Sequence, residues 1–314
     1  MKKIFNQGVL LIVVNFSIIL YAQPNPQILI DKGKGQTFML PVWSPDGSMI
    51  AFTSANYKGL WVINLQDKKI KQVTNEDAAG FAFKWSGNSG EILTCVAKYE
   101  GSLRYNAVKI FNIKSDESTL LTDYRTIMTG LPQFTSADEK IFMYNRGKPE
   151  IFDSGIKANV SKKLNASERV VYIKEDKIAV EDLSTEQISM FEPVKGERVL
   201  NLQKSLDGNK VVFEIIGGDM YVMNIDGSGL TDLGRGYRPE WSPDNQHIVY
   251  MITKDDGYQV LSSDIYTIKI DATEKRNLTN TDDKLEMNPS WSPDGKKIAY
   301  DIAGEGAIYI MEIE

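Results

Sequence analysis

Four kinds of group in this chain could do chemistry: one histidine, one cysteine, an Asp-Gly-rich turn and a set of scattered carboxylates. His247 ends the stretch Pro243-Asp244-Asn245-Gln246-His247, where related turns carry Gly or Lys, so it reads as a solvated turn residue. With no second histidine, a nucleophile–histidine–acid triad would depend on that residue alone. Cys95 follows Thr94 on an inner strand and reads as a small buried hydrophobe. A single thiol makes no internal disulfide framework, and one Cys with one His makes no zinc cluster. Asn224-Ile225-Asp226-Gly227-Ser228-Gly229 is similar to a calcium loop but lacks the distal acidic ligand. Its place between two strand patterns makes it a hairpin turn. Asp123, Asp138, Asp219 and Asp264 are dispersed. In a ring such residues can meet at the centre, and a carboxylate pair could serve glycoside or polysaccharide chemistry. No Gly-Lys-Ser/Thr phosphate loop occurs. Catalytic residues, metal ligands and cofactors are therefore not expected.

The elements that would position any site come from a repeat. Trp43-Ser44-Pro45-Asp46-Gly47 is followed by Ile50-Ala51-Phe52. The unit returns as Trp241-Ser242-Pro243-Asp244 with Ile248-Val249-Tyr250, and as Trp291-Ser292-Pro293-Asp294-Gly295 with Ile298-Ala299-Tyr300. Its centre is turn chemistry: Pro presets φ, Asp bonds its own backbone, and Gly supplies a positive φ. The Trp can pack between neighbouring sheets. After the turn the residues alternate with strand period.

Offsets reveal weaker copies. In the clear units an apolar residue stands seven after the Trp and an aromatic nine after. Trp85 and Phe134 start units that keep the residue at seven, Ile92 and Ile141, and Lys163 and Lys204 start units that keep both, that at Lys163 having the degraded turn Asn165-Ala166-Ser167-Glu168. Starts at 43, 85, 134, 163, 204, 241 and 291 give intervals of 42, 49, 29, 41, 37 and 50. Each unit continues through a loop, a second alternating strand, a tight turn and a short last strand. Four antiparallel strands in roughly 40 residues are the mark of a β-propeller blade. An all-β ring of seven blades follows; the interval of 29 keeps six as the alternative. The last unit stops after its third strand, so Gln27 to Ile30 is expected to close the ring as its fourth.

Residues 1–22 have the layout of a signal peptide: Lys2 and Lys3, an apolar run from Val9 to Leu20, and Ala22 before Gln23-Pro24. A retained anchor is the rival reading, but the run is shorter than the ~20 apolar residues a spanning helix needs. The propeller then occupies 23–314, in the periplasm or outside the cell, with no membrane span after cleavage. Cleavage takes two lysines from a formal charge of −6 and leaves −8. That balance argues against nucleic acid, which needs a basic face.

The Trp-Ser-Pro-Asp-Gly turn followed by Ile-Ala-Phe/Tyr resembles the repeats of TolB-type propellers, over about residues 36–314. Similar repeats occur in the propeller domains of prolyl-oligopeptidase-like enzymes. The resemblance implies a periplasmic, non-enzymatic protein that meets other envelope proteins or cell-wall components through one face of its ring. It also implies six blades and an α/β domain ahead of the propeller; this sequence departs on both, with only about fourteen residues between Ala22 and the first repeat. A hydrolase or lyase acting on a sugar or peptide in the central channel is the alternative function, because propellers host unrelated activities.

On one face of such a ring lie short polar turns. On the other lie variable loops, including Ala97 to Asn106 and Lys254 to Leu261, and the crossing Gly234 to Arg238. Arg104, Tyr105, Arg235, Tyr237, Arg238 and Tyr258 are expected to rim the mouth that meets a partner, since Arg and Tyr combine area with directional bonds.

Overall fold

In the computed structural model the alternating segments form seven antiparallel sheets among the described residues, which are 25–32, 36–135, 137–157 and 168–313. The segment expected to be a signal peptide and most of the degraded turn after Lys163 lie outside them. In chain order the blades span 38–74 (I), 84–120 (II), 133–153 (III), 169–191 (IV), 199–235 (V), 237–277 (VI) and 286–312 (VII). Each is a meander whose strands pair in sequence order. First strands touch from blade IV through V and VI to VII, and that of blade VII touches that of blade I; shared apolar clusters join I to II, II to III and III to IV, which closes a seven-bladed ring. Among the described residues blades III and IV have three strands each. Both shortfalls border residues 158–167, the part of the chain behind the short interval.

Strand Gln27–Ile30 pairs antiparallel with Ala307–Glu312 as the fourth strand of blade VII. The ring is thus tied by joining its two ends, as the missing last strand predicts. Ile30 is buried in a cluster with Phe38, Trp43, Phe52, Trp61 and Ile308 that spans the seam between blades VII and I.

The turn motif works as its residue types suggest, with one further participant. Ser44 Oγ donates to Asp46 Oδ1 at 2.7 Å and accepts from Met49 N at 2.9 Å, while Asp46 Oδ1 accepts from Ser48 N at 3.0 Å. The same bonds recur from Ser205, Ser242 and Ser292 with Asp207, Asp244 and Asp294, and from Ser86 with Asn88. All five serines are buried, so their hydroxyls satisfy turn backbone that water does not reach. Trp85 Nε1 donates to Val42 O at 3.2 Å and Trp241 Nε1 to Gln203 O at 3.4 Å, each reaching the preceding blade.

The residue nine after each unit start fills the space between blades. Phe52, Met143, Phe213, Tyr250 and Tyr300 are all fully buried there. Tyr250 carries a cost, because its buried hydroxyl has no hydrogen-bond partner. A buried unpaired hydroxyl is unfavourable by about 1–3 kcal/mol. Tyr250→Phe is therefore expected to raise stability by about 1 kcal/mol in urea unfolding; a loss would mean that the hydroxyl is served.

Candidate functional site

Two hairpins break the regular outline. In blade II, strands Glu91–Glu100 and Leu103–Asn112 pair along their whole length, from Glu91↔Asn112 to Glu100↔Leu103. In blade VI, His247–Asp255 pairs with Val260–Lys269. The stretches expected to be loops are thus β-arms, and this corrects the sequence reading. Six-residue second strands are the rule in the other blades, so each arm adds about four residues, or ~13 Å at a strand's rise. Both join second to third strands, which places them on the same face of the ring.

Neighbouring chain braces the arms at their bases. Ala97 N donates to Asp77 O at 2.7 Å, and Asn106 and Arg125 exchange both backbone bonds. Ser263 N donates to Lys284 O at 2.9 Å. The tips are exposed and partly apolar: Tyr99 and Leu103 on arm II, and Tyr258, Val260 and Leu261 on arm VI, with Tyr258 98% exposed. Asp256 Oδ1 fixes the second tip by accepting from Tyr258 N and Gln259 N.

The residues expected to rim one mouth fall into three places. Arg104 and Tyr105 lie on arm II, where Arg104 Nε donates to Asn106 Oδ1 at 2.9 Å and the Lys98 ammonium sits 5.7 Å from the Tyr105 ring centre. Arg235 and Tyr237 meet at the V–VI crossing, the guanidinium donating to the phenol oxygen at 3.2 Å. That crossing is a single residue, Gly236, because strands Thr231–Arg235 and Tyr237–Trp241 flank it directly. Tyr258 caps arm VI; the charge of Asp255 at the end of the arm's first strand helps hold the Arg235 pKa above its usual value, after the Tyr237 bond. Blades II and VI are not neighbours, so Arg104 and Tyr105 stand apart from the other group.

Arg238 belongs elsewhere. Its backbone N–H donates to Glu214 of blade V, and its charge acts on Glu214, Glu240 and Asp301, one carboxyl from each of blades V, VI and VII. Burial raises the pKa of all three carboxyls, and for Asp301 the rise is to about 7. Glu240 also feels the charge of Lys84, on the first strand of blade II. Glu240 accepts from Gln203 Nε2 at 2.9 Å. The sequence reading missed this cluster. The available signal was an acid ten residues after the unit start, kept only at Glu214 and Asp301.

The carboxylates considered from sequence do not converge. Asp123 is exposed after blade II's last strand, and Asp138 accepts from Gly87 N in the short-turn face. Asp219 starts a strand of blade V, whereas Asp264 is buried under Asn277, Thr279 and Thr281 of its own blade. Cys95 stands on the second strand of blade II, half-buried, its thiol pushed up to about 11 by burial. Such a thiol is inert. Asp226 accepts from Ser228 N and Oγ, as a hairpin turn requires.

His247 opens a strand and lines a cleft of about 730 Å³ between blades VI and VII, with Asp244, Glu274, Lys275 and Trp291. The imidazole lies 3.7 Å from Asp244 and 4.0 Å from Glu274. Glu274 also pairs with Lys269. Among the described residues no group of three or more His, Cys, Asp or Glu could hold a metal ion, and no helix is long and apolar enough to cross a membrane.

No family model matches the chain, and no curated protein matches it in sequence. Solved structures do match in shape. TolB from Acinetobacter baumannii aligns with a TM-score of 0.55 at 14% identity, over 83% of this chain and 58% of that one. This chain therefore spans less than two thirds of that protein. A putative TolB from Agrobacterium tumefaciens aligns with a TM-score of 0.55 at 15% identity, over 90% of this chain and 92% of that one. An oligogalacturonate lyase in complex with manganese gives 0.50 at 12% identity, over 90% and 78%. At such identities the likeness concerns the fold alone: the chain is folded as a TolB-like β-propeller, here with seven blades.

Proposed function

We propose that this protein is an exported, non-enzymatic propeller that binds another envelope protein or a cell-wall component through the face carrying the two arms. The observation that carries the reading is exposed aromatic and aliphatic area on braced strands. An exposed Tyr on a rigid element offers contact area at little ordering cost, which is the profile of a binding hot spot. Free loops of that length would lose more entropy on binding. Arg235 and Tyr237 lie at the root of arm VI and extend the surface. Arg238 is removed from it, because its environment is the carboxyl cluster.

The rival reading, an enzyme acting on a sugar or peptide in the channel, has one favouring observation. Glu240, on the first strand of blade VI, has its pKa raised by burial, a state suited to an acid catalyst. The two readings separate by substitution. Tyr99→Ala with Tyr258→Ala is expected to weaken a purified complex by about 2 kcal/mol, or roughly thirtyfold, while Glu240→Gln leaves it unchanged. Binding untouched by the tyrosine pair, or turnover of a polysaccharide lost in Glu240→Gln, would replace the scaffold reading with the enzyme.

A further inference from the structure

We propose that Asp301 is held as a neutral carboxylic acid in a cyclic pair with the Asn288 amide, and that this proton locks the seam between blades VII and I. Asn288 Nδ2 donates to Asp301 Oδ1 at 2.8 Å. Leu40 N, from the first strand of blade I, donates to the same oxygen at 2.8 Å. Asn288 is 8% exposed and Asp301 2%. The remaining amide oxygen, Asn288 Oδ1, is buried and without a hydrogen-bond partner.

An amide that donates to one carboxyl oxygen presents its own carbonyl beside the other. A proton on Asp301 Oδ2 therefore points at Asn288 Oδ1 and completes a two-bond ring between the side chains. Ionised, the carboxyl would turn lone pairs toward that carbonyl and leave it unserved, at the cost of a buried unpaired acceptor. The protonated form satisfies every acceptor that the geometry brings together.

The arrangement is positional, which argues that it is built in. Asn288 is three residues before its unit start, Trp291, and Asp301 ten after. Blade V repeats both offsets around Lys204: Asn201 Nδ2 donates to Glu214 Oε1 at 2.8 Å. That oxygen also accepts the N–H of Arg238, three before Trp241, just as Asp301 accepts that of Leu40, three before Trp43. Leu40 and Arg238 have φ of 57° and 53°, which turns the N–H out of its own strand ladder and toward the preceding blade. The seams differ in one respect. Asn201 is exposed, so water can serve its oxygen; Asn288 is closed off.

The groups facing Asp301 come from three blades. Within blade VII there is Asn288; Glu286, on the same strand, is turned to Thr281. Blade I supplies the Leu40 N–H. Blade VI supplies the positive charge of Arg238, which favours ionisation. Burial outweighs it and the bonds from Asn288 and Leu40, and sets the pKa at about 7. Because the folded value lies above the unfolded one near 3.8, ionisation costs the folded state. The seam is tightest in mild acid, and stability falls as pH rises from about 4 through about 7.

Asp301→Asn tests this, because its Nδ2 can make the bond to Asn288 Oδ1 without a titrating proton. Melting curves of wild type and variant are compared from pH 5 to pH 9, with the infrared carbonyl band of protonated carboxyls recorded at pH 6. Other raised carboxyls titrate in both proteins, so the difference isolates Asp301. The expected result is a gap that widens by about 5 °C in favour of the variant between pH 5 and pH 8. It comes with loss of part of the acid band. Glu214→Gln, at the wetter seam, should give a smaller gap. A gap that does not change with pH, or an acid band undiminished in Asp301→Asn, would overturn the proposal.

Discussion

A chain of residues 31–314 is expected to melt about 8 °C or more below one of residues 23–314. The deletion removes strand Gln27–Ile30 and opens the edge of Ala307–Glu312. It also exposes the cluster in which Ile30 is buried. Burying one such side chain contributes about 1.5–3 kcal/mol, and each ladder bond lost about 1 kcal/mol. Together the loss is about 4 kcal/mol, and each kcal/mol moves the midpoint by roughly 2–4 °C in a domain of this class. The freed edge would also recruit other chains, so the truncated protein should aggregate on heating. Scanning calorimetry decides it: an unchanged melt would mean that the ring holds without its strap.

Phe52→Ala is expected to cost about 3–5 kcal/mol, near the upper end for a single core truncation. Phe52 is fully buried at the same seam. Its ring meets Phe38 edge-on, with centroids 5.0 Å apart, and stacks at 6.2 Å on Trp61. Aromatic pairs of this kind add about 0.5–1.5 kcal/mol beyond area. Three elements of blade I contribute to the group, so collapse around the cavity would have to move all of them. Urea denaturation with an unchanged m-value measures the loss. A cost below about 1 kcal/mol would show that the seam repacks freely.

Much of the fold was legible because the signal is local and repeated. The Ser-Pro-Asp-Gly turns and the aromatic nine residues after most starts, as at Phe52, Phe213, Tyr250 and Tyr300, obey offsets that need no tertiary knowledge. Their seven starts became seven blades. The turn serines are written in the same motif, yet their double role shows only once the burial of Ser44 or Ser292 removes water as a partner.

The surface features were less legible. Lys98-Tyr99-Glu100-Gly101-Ser102 mixes charge, aromatic and glycine, which reads as a loop. Bracing by Asp77 and Arg125, distant in sequence or on another crossing, makes it a strand pair. Arg238 shows the opposite: its place in the crossing Gly234 to Arg238, beside Arg235 and Tyr237, suggested a rim, while a positive φ turns its backbone toward Glu214. The pairing of Asn288 with Asp301 keeps its offsets in two units only, too few to stand out without the seam geometry.

The most direct test of the arms as the binding surface is capture from envelope extract. The protein, as residues 23–314, is immobilised beside a variant whose two arms are shortened to the hairpin length of blade VII, its fold checked by circular dichroism and melting. The expected result is one or more envelope components held by the full protein and absent from the trimmed one, at equal melting temperature. The same components held equally by both, with both folded, would contradict the claim that this face does the binding.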